Sequence, residues 1–268
     1  MSYYIEQERS RQIQWAKSHG HETGAVYRGI PREFVLLNGT HNLFKGIRED
    51  SVKYFKDFNI SWWGGLRPTG HLLSSQIACL NHLFLLRNDP QMILTILNNI
   101  RNEYVEVLLL QCDMKTVKGE EYKAGYVAFE AVSDVDYLNE GTPQRGSNCT
   151  SLDAVILAKH KSGKKHLILI EWKYTESYAT LDKSMEDGKG KPKGGHEKGD
   201  ERLRRYSDLI TSSHFLKTME EYRSSIYFQE PFYQLMRQTL WAEQMILHKS
   251  NESIKADDYL HLHVVPSE

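Results

Sequence analysis

Three side chains have the types and spacing for joint chemistry: Asp153, Glu171 and Lys173. Asp153 opens the apolar run Ala154-Val155-Ile156-Leu157-Ala158, and Glu171-Trp172-Lys173 closes the run His166-Leu167-Ile168-Leu169-Ile170. The polar stretch between them contains Gly163, so the pattern predicts a β-hairpin whose outer ends meet. A loop of Ser162 to Lys164 would oppose Asp153 to Lys173; a loop of Lys161 to Gly163 would oppose it to Glu171. Either sets all three on one face, because opposed residues share a face and Glu171 and Lys173 lie two apart. A two-residue Ser162-Gly163 loop would oppose Asp153 to Trp172 and scatter them. With the two acids on opposite faces, the reading that follows fails.

Charges at the ends of such apolar strands are expensive unless paired or bound to metal. Two acids sharing a site need a cation, or one of them takes up a proton. Magnesium is held by one or two carboxylates plus waters and phosphate oxygens. It polarises a phosphoryl oxygen and acidifies water, which is the chemistry of phosphodiester hydrolysis. Lys173 would orient that water or offset charge on phosphorus. Two rival readings exist. Lys173 merely neutralises two acids in a structural cluster, or Glu130 and Glu171 form an acid–base pair of the glycosidase kind, active without metal. No sugar-stacking aromatic cluster is evident beside Glu171.

Asp153, seventeen intervening residues and Glu171-Trp172-Lys173 resemble the signature of the PD-(D/E)XK nuclease superfamily, the restriction-endonuclease-like fold. Cys149-Thr150-Ser151-Leu152-Asp153 together with Ile170 to Tyr178 resembles a bacterial branch of uncharacterised restriction endonucleases. Leu152 stands where the signature has proline, which is not a metal ligand. The resemblance implies an α/β fold with an αβββαβ core, a mixed central sheet flanked by helices. It implies Mg2+, with Mn2+ able to substitute, held by Asp153, Glu171 and the Trp172 carbonyl, and Lys173 as the water-positioning cation. It further implies a Glu or Gln from the helix before the sheet, the position of Gln76. Arg202 and Arg205, then Gln234 and Arg237 with Gln238 beside them, stand where phosphate contacts are made. The implied substrate is DNA, cut in line to leave a 5′-phosphate and a 3′-hydroxyl, by an enzyme that often works as a homodimer. A non-cleaving nucleic-acid-binding protein of the same fold is the alternative.

Read from the residues alone, several of these positions have plainer roles. Gln76 sits beside the apolar face Leu73, Ile77, Leu80 and Phe84 of a helix predicted over Thr69 to Arg87 and could be a capping amide. Arg202, Arg205 and Tyr206 share a helix face, where ion pairs to Glu201 or Asp208 are equally expected. Arg237 could be a surface residue. Glu130, the polar member of a strand predicted over Tyr126 to Val132, is either a third acid of the site or solvent-facing.

The remaining elements frame this core. Residues 1–20 look helical, and 1–66 read as an N-terminal extension packed on a nuclease-like domain of 67–268. Trp62-Trp63-Gly64-Gly65 reads as a packing turn. A helix is expected from Pro90 to Tyr104; periodicity leaves Val105 to Leu110 as its continuation or a strand. Lys115 to Lys123 reads as a polar connector. Asp187 to Gly199, rich in Gly and Lys, reads as a mobile loop with Asp200 capping a helix to Ile210. A helix after Pro231 buries Leu235, Leu240, Trp241 and Met245, and Tyr259 to Val265 alternates as a half-buried strand. The chain stops just after it, which suggests a C-terminal truncation.

The 268 residues carry a net charge of −1, so a global basic field for nucleic acid is absent. Residues 159–205 hold thirteen Lys/Arg against eight Asp/Glu, a local +5. Cys79, Cys112 and Cys149 match neither a disulfide framework nor a zinc site. With no signal peptide and no apolar run long enough to span a bilayer, the default compartment is a reducing cytoplasm, with no membrane partner.

Overall fold

The computed structural model describes residues 3–113, 115–117, 120–122, 124–146, 149–176, 181–188 and 194–266. The central sheet is built from β1 (Tyr104–Leu108), β2 (Ala128–Ala131), β3 (Leu152–His160), β4 (Lys165–Trp172) and β5 (Asp258–Val264). β3 and β4 run antiparallel and β4 and β5 parallel, so the sheet is mixed. β1 and β2 lie end to end along the free edge of β3: β1 pairs with its second half and β2 with its first.

The helices are α1 (Tyr3–Ser18), α2 (Arg48–Asp57), α3 (Ser75–Leu83), α4 (Pro90–Ile100), α5 (Glu197–Ser212) and α6 (Phe232–Leu247). They cover both faces of the sheet, which is why β3 and β4 read as unbroken apolar runs. Ala154, Ile156, Ala158, Ile168 and Ile170 pack with Tyr54 and Phe55 of α2, Ile77 and Leu80 of α3, and Ile93 and Leu97 of α4. Val155, Leu157, Leu167 and Leu169 pack with Tyr206 and Ile210 of α5 and Met236, Leu240 and Trp241 of α6. The result is an α/β fold with a mixed central sheet flanked by helices; four strands rather than the expected three precede α5, because β1 and β2 share one edge of β3. Leu43, Ile47 and Phe58, from the first 66 residues, belong to the same buried cluster as the first sheet face.

Several elements differ from the sequence expectation, each for a local reason. α3 starts at Ser75 rather than Thr69. Ser74 caps it, accepting from the Ile77 amide at 3.4 Å, and the preceding residues are spent on backbone pairing, with Leu36 N donating to Gly70 O at 2.8 Å. A Cβ on Gly70 would lie 2.2 Å from Leu36 O, so the contact needs glycine. α4 ends early and β1 begins because the Asn98 side chain brackets both backbone groups of Tyr104 at 3.0 Å. α5 begins at Glu197, and Asp200 lies within it, paired to Arg223. Gly199 reads as loop by propensity, yet its missing side chain lets the first turn cross Ser184, whose carbonyl would sit 1.8 Å from a Cβ. α6 buries Tyr233 and Met236 while Leu235 is only half-buried. α2 had no signal in the sequence reading. Lys115–Val117 and Glu120–Tyr122 pair as antiparallel strands in the expected connector. Residues 189–193 of the glycine-rich stretch lie outside the described residues. No helix among the described residues is long and apolar enough to cross a membrane.

Candidate active site

The hairpin closes on Lys161 to Gly163: His160 N donates to Lys164 O at 2.8 Å and Gly163 N donates to His160 O at 2.9 Å. Gly163 takes φ +86°, the left-handed position such three-residue loops require. Ala154 stands opposite Ile170, so the next step of the register sets Asp153 opposite Glu171. On the other edge, Phe129 pairs with Ala154 and Ala131 with Leu152, which brings Glu130 beside Asp153. Glu171 in turn pairs with His263 of β5. Three acids therefore line up across three neighbouring strands at one end of the sheet.

The register is one of the two expected, but the side chains do not follow plain alternation. Ala128 and Ala131 both pack on the α6 side, as do Leu152 and Val155, each pair three residues apart instead of two. Glu130 lies inside this break with φ +49°. Such irregularities bend a strand and re-aim its side chains. Glu130 and Asp153 line one small void with Phe55, Gln76, Cys79 and Leu80, on the α3 side. Glu171 instead accepts from Gln234 and Gln238 of α6. The register opposes Asp153 to Glu171, the pairing expected to set them on one face, while the groups around the two carboxylates come from different layers, the α3 side at Asp153 and α6 at Glu171. Their charges act on each other across the strand pair.

Burial, then the charges of Glu171 and Glu130, push the Asp153 carboxyl well above the usual range, against a hydrogen bond from the Trp172 amide. That amide donates to Asp153 Oδ2 at 2.7 Å. Burial pushes Glu130 up to about 7, with Glu171 adding to the shift and Gln76 and Ser151 opposing it. Glu130 accepts from Gln76 Nε2 at 2.6 Å and from Ser151 Oγ at 3.3 Å. Glu171, only 2% exposed, is ion-paired to Lys173 and accepts from Gln234 Nε2 at 2.6 Å. The Lys173 ammonium also donates to Gln234 Oε1 at 2.7 Å.

The site thus gathers Gln76, Glu130, Asp153, Glu171, Lys173 and Gln234. Gln76 is buried: its Oε1 accepts from the Trp63 amide at 2.8 Å while its Nε2 serves Glu130. Gln234 sits within the acid cluster. The arginines do not join it. Arg202 pairs with Glu186 at 2.8 Å, Arg205 with Glu201 and Arg237 with Glu140 at 2.8 Å, so each already has a carboxylate. Trp172 points to the α3 side, half-buried against His82. Gln238, expected only as a companion of Gln234 and Arg237, also reaches Glu171, because its place four residues after Gln234 sets the two on one face of α6. Ser151, adjacent to the motif, carried no signal of its own.

As a donor set, three carboxylates facing one lysine leave an excess of oxygen ligands and negative charge that suits a hard divalent cation. Among the described residues, no three His, Cys, Asp or Glu side chains already stand close enough to hold a metal ion. Both oxygens of Glu171 are engaged by Lys173, Gln234 and Gln238. The nearby Cys79 thiol is pushed well up by burial and by the acids, so it does not supply a thiolate.

No curated protein and no solved structure matches the chain at significance. The family model described as "Restriction Endonuclease associating with ARP" matches residues 6–268. With almost its whole length inside that match, the chain belongs to this restriction endonuclease family.

Proposed function

We propose that the protein is a magnesium-dependent nuclease of the PD-(D/E)XK type that hydrolyses phosphodiester bonds in DNA, in a restriction or defence role. The observation that carries this reading is the row Glu130, Asp153 and Glu171 on adjacent strand ends, with Lys173 as its cation. An acid cluster of this kind is held against its own repulsion, and perturbed carboxyls gather where chemistry is done.

Asp153, Glu171 and the Trp172 carbonyl would hold the ion, with Glu130 as a further oxygen donor. When bound, such an ion neutralises charge at the phosphoryl oxygens and acidifies water. The chain's own residues do the rest. Lys173 carries an ammonium at the edge of the cluster, where it orients the attacking water and offsets the charge that develops on phosphorus. Gln234 holds Lys173 and Glu171 in fixed relation through its two amide atoms. Gln76 fixes the Glu130 carboxylate by a bond that a glutamine can make without adding charge. Attack in line leaves a 5′-phosphate and a 3′-hydroxyl.

Incubation of supercoiled and linear DNA with Mg2+, Mn2+ or chelator tests the proposal. Nicking is expected with either metal, none with chelator, and a loss of at least about a hundredfold in Asp153→Ala and Lys173→Ala. Tight, salt-sensitive DNA binding without cutting would replace the nuclease by a binding protein of the same fold. Cutting that survives in chelator would end the metal reading.

A further inference from the structure

A cleft of about 560 Å3 opens beside Lys173, walled by α1 and α3 and floored by the ends of β4 and β5. Its size is that of a small-ligand site. Trp15 and Tyr4 enter from α1, His82 from α3 and Trp172 from β4. Trp15 is 39% exposed, and the His82 and Trp172 rings lie 4.9 Å apart, inclined by 33°. The polar contribution is equally particular. Arg11 and Lys173 line the cleft, and among the described residues no Asp or Glu does. Gln12 Nε2 donates to Tyr174 Oη at 2.8 Å, and its Oε1 has no partner among the described residues. His82 Nδ1 lies 2.7 Å from the Ala78 carbonyl, which makes it the donor nitrogen and leaves Nε2 for another partner.

The wall formed by α1 is fastened in place. Glu8, 3% exposed, accepts from Tyr174 Oη and from Gln12 and pairs with Arg11. Tyr174 is the residue after Lys173, so the N-terminal helix is tied to the end of the motif strand. An aromatic cleft with amide and imidazole edges favours a planar, hydrogen-bonding ligand, and its two cations, Arg11 and Lys173, are each already paired with a carboxylate behind the lining, Glu8 and Glu171, with which a ligand's phosphate would compete. A nucleotide has these properties: its base stacks on aromatic faces and its phosphate meets the cations.

We infer that this cleft receives an unstacked base of the strand being cut, next to the phosphate that lies at Lys173. The inference rests on the nuclease reading for the strand's position, and it gives the N-terminal helix a substrate-binding role. Extruding a base is unfavourable in a duplex and easy in a single strand, so single-stranded or unpaired DNA is the preferred occupant.

The test is binding of a fluorescently labelled single-stranded dodecamer by the full chain in chelator, followed by cutting of the same strand in Mg2+. Trp15→Ala and, on the opposite wall, His82→Ala should each weaken binding about tenfold, the loss of one stacking partner. Unchanged thermal midpoints show that both variants fold. If wild type cuts with Asp153 dependence and both variants bind and cut as it does, the cleft inference is wrong and the nuclease stands. If both variants weaken binding but wild type never cuts, the cleft stands and the nuclease falls. No binding by wild type overturns the inference. So does a mononucleotide bound as tightly as the strand, which would make the cleft a free-nucleotide site.

Discussion

Asp113 and Asp153 are carboxylates set into the body of the same fold, with contrasting neighbours. Asp113, fully buried, accepts from Arg87 at 2.7 Å, from Arg145 at 3.0 Å and from the Tyr54 hydroxyl at 2.8 Å. Asp153 has one backbone amide and two other acids. The first cluster is a fastener. Arg145 donates to the Phe129 carbonyl, and Tyr54 Oη accepts from the Phe129 amide at 3.3 Å. The second cluster has more negative charge than its surroundings compensate. The two are connected, because Phe129 precedes the left-handed Glu130. The compensated cluster holds the strand break that aims a residue of the uncompensated one.

The largest expected effect breaks this contrast directly. Asp113→Ala strands two buried guanidiniums and should cost about 3–5 kcal/mol in urea unfolding. Asp153→Asn removes one of three mutually repelling acids and should leave stability unchanged or higher, while abolishing cutting. Equal losses in the two variants would erase the distinction.

A smaller effect is in the pH dependence of the metal-free protein. Glu130 holds its proton up to about pH 7 when folded, against 4.5 for the ordinary carboxyl, because burial and Glu171 disfavour its charge. Between those values the folded state binds more protons, so stability should fall as pH rises through that window. Thermal melts of Glu130→Gln should show a shallower slope, the remainder coming from Asp153, which is also pushed up. A slope unchanged in the variant would assign it wholly to Asp153 or another group.

The smallest effects separate the arginines. Arg237→Ala leaves Glu140 to Thr150 and Tyr206 and should cost about 1–3 kcal/mol. Arg205→Ala removes an exposed pair with Glu201, costs about 0.5 kcal/mol or less and should leave DNA affinity unchanged. A uniform loss of affinity with a shallower salt slope would make Arg205 a phosphate contact after all.

Much of this site is legible in the sequence because it lies on strongly patterned elements. The apolar runs predict β3 and β4, and the loop around Gly163 leaves two registers, of which the structure takes the one that opposes Asp153 to Glu171. What is not legible comes from departures from periodicity. The break at Glu130 follows no residue type, since a glutamate at φ +49° is held there by Tyr54 and Arg145 through Phe129. Helix α2 has no warning in its polar sequence, although Tyr54 is fully buried. The ion pairs of Arg202 and Arg237 depend on Glu186 and Glu140, acids in distant loops whose approach only the fold decides.

The central claim is that the three acids form a divalent-metal site. Electron paramagnetic resonance of free Mn2+, titrated against the protein at about pH 8 with an uncleavable phosphorothioate DNA present, reads it most directly. That pH is above the range in which Glu130 keeps its proton. Wild type should deplete the free-ion signal and Asp153→Ala should not, while its circular dichroism stays unchanged. Identical free-ion signals for the two proteins would contradict the account.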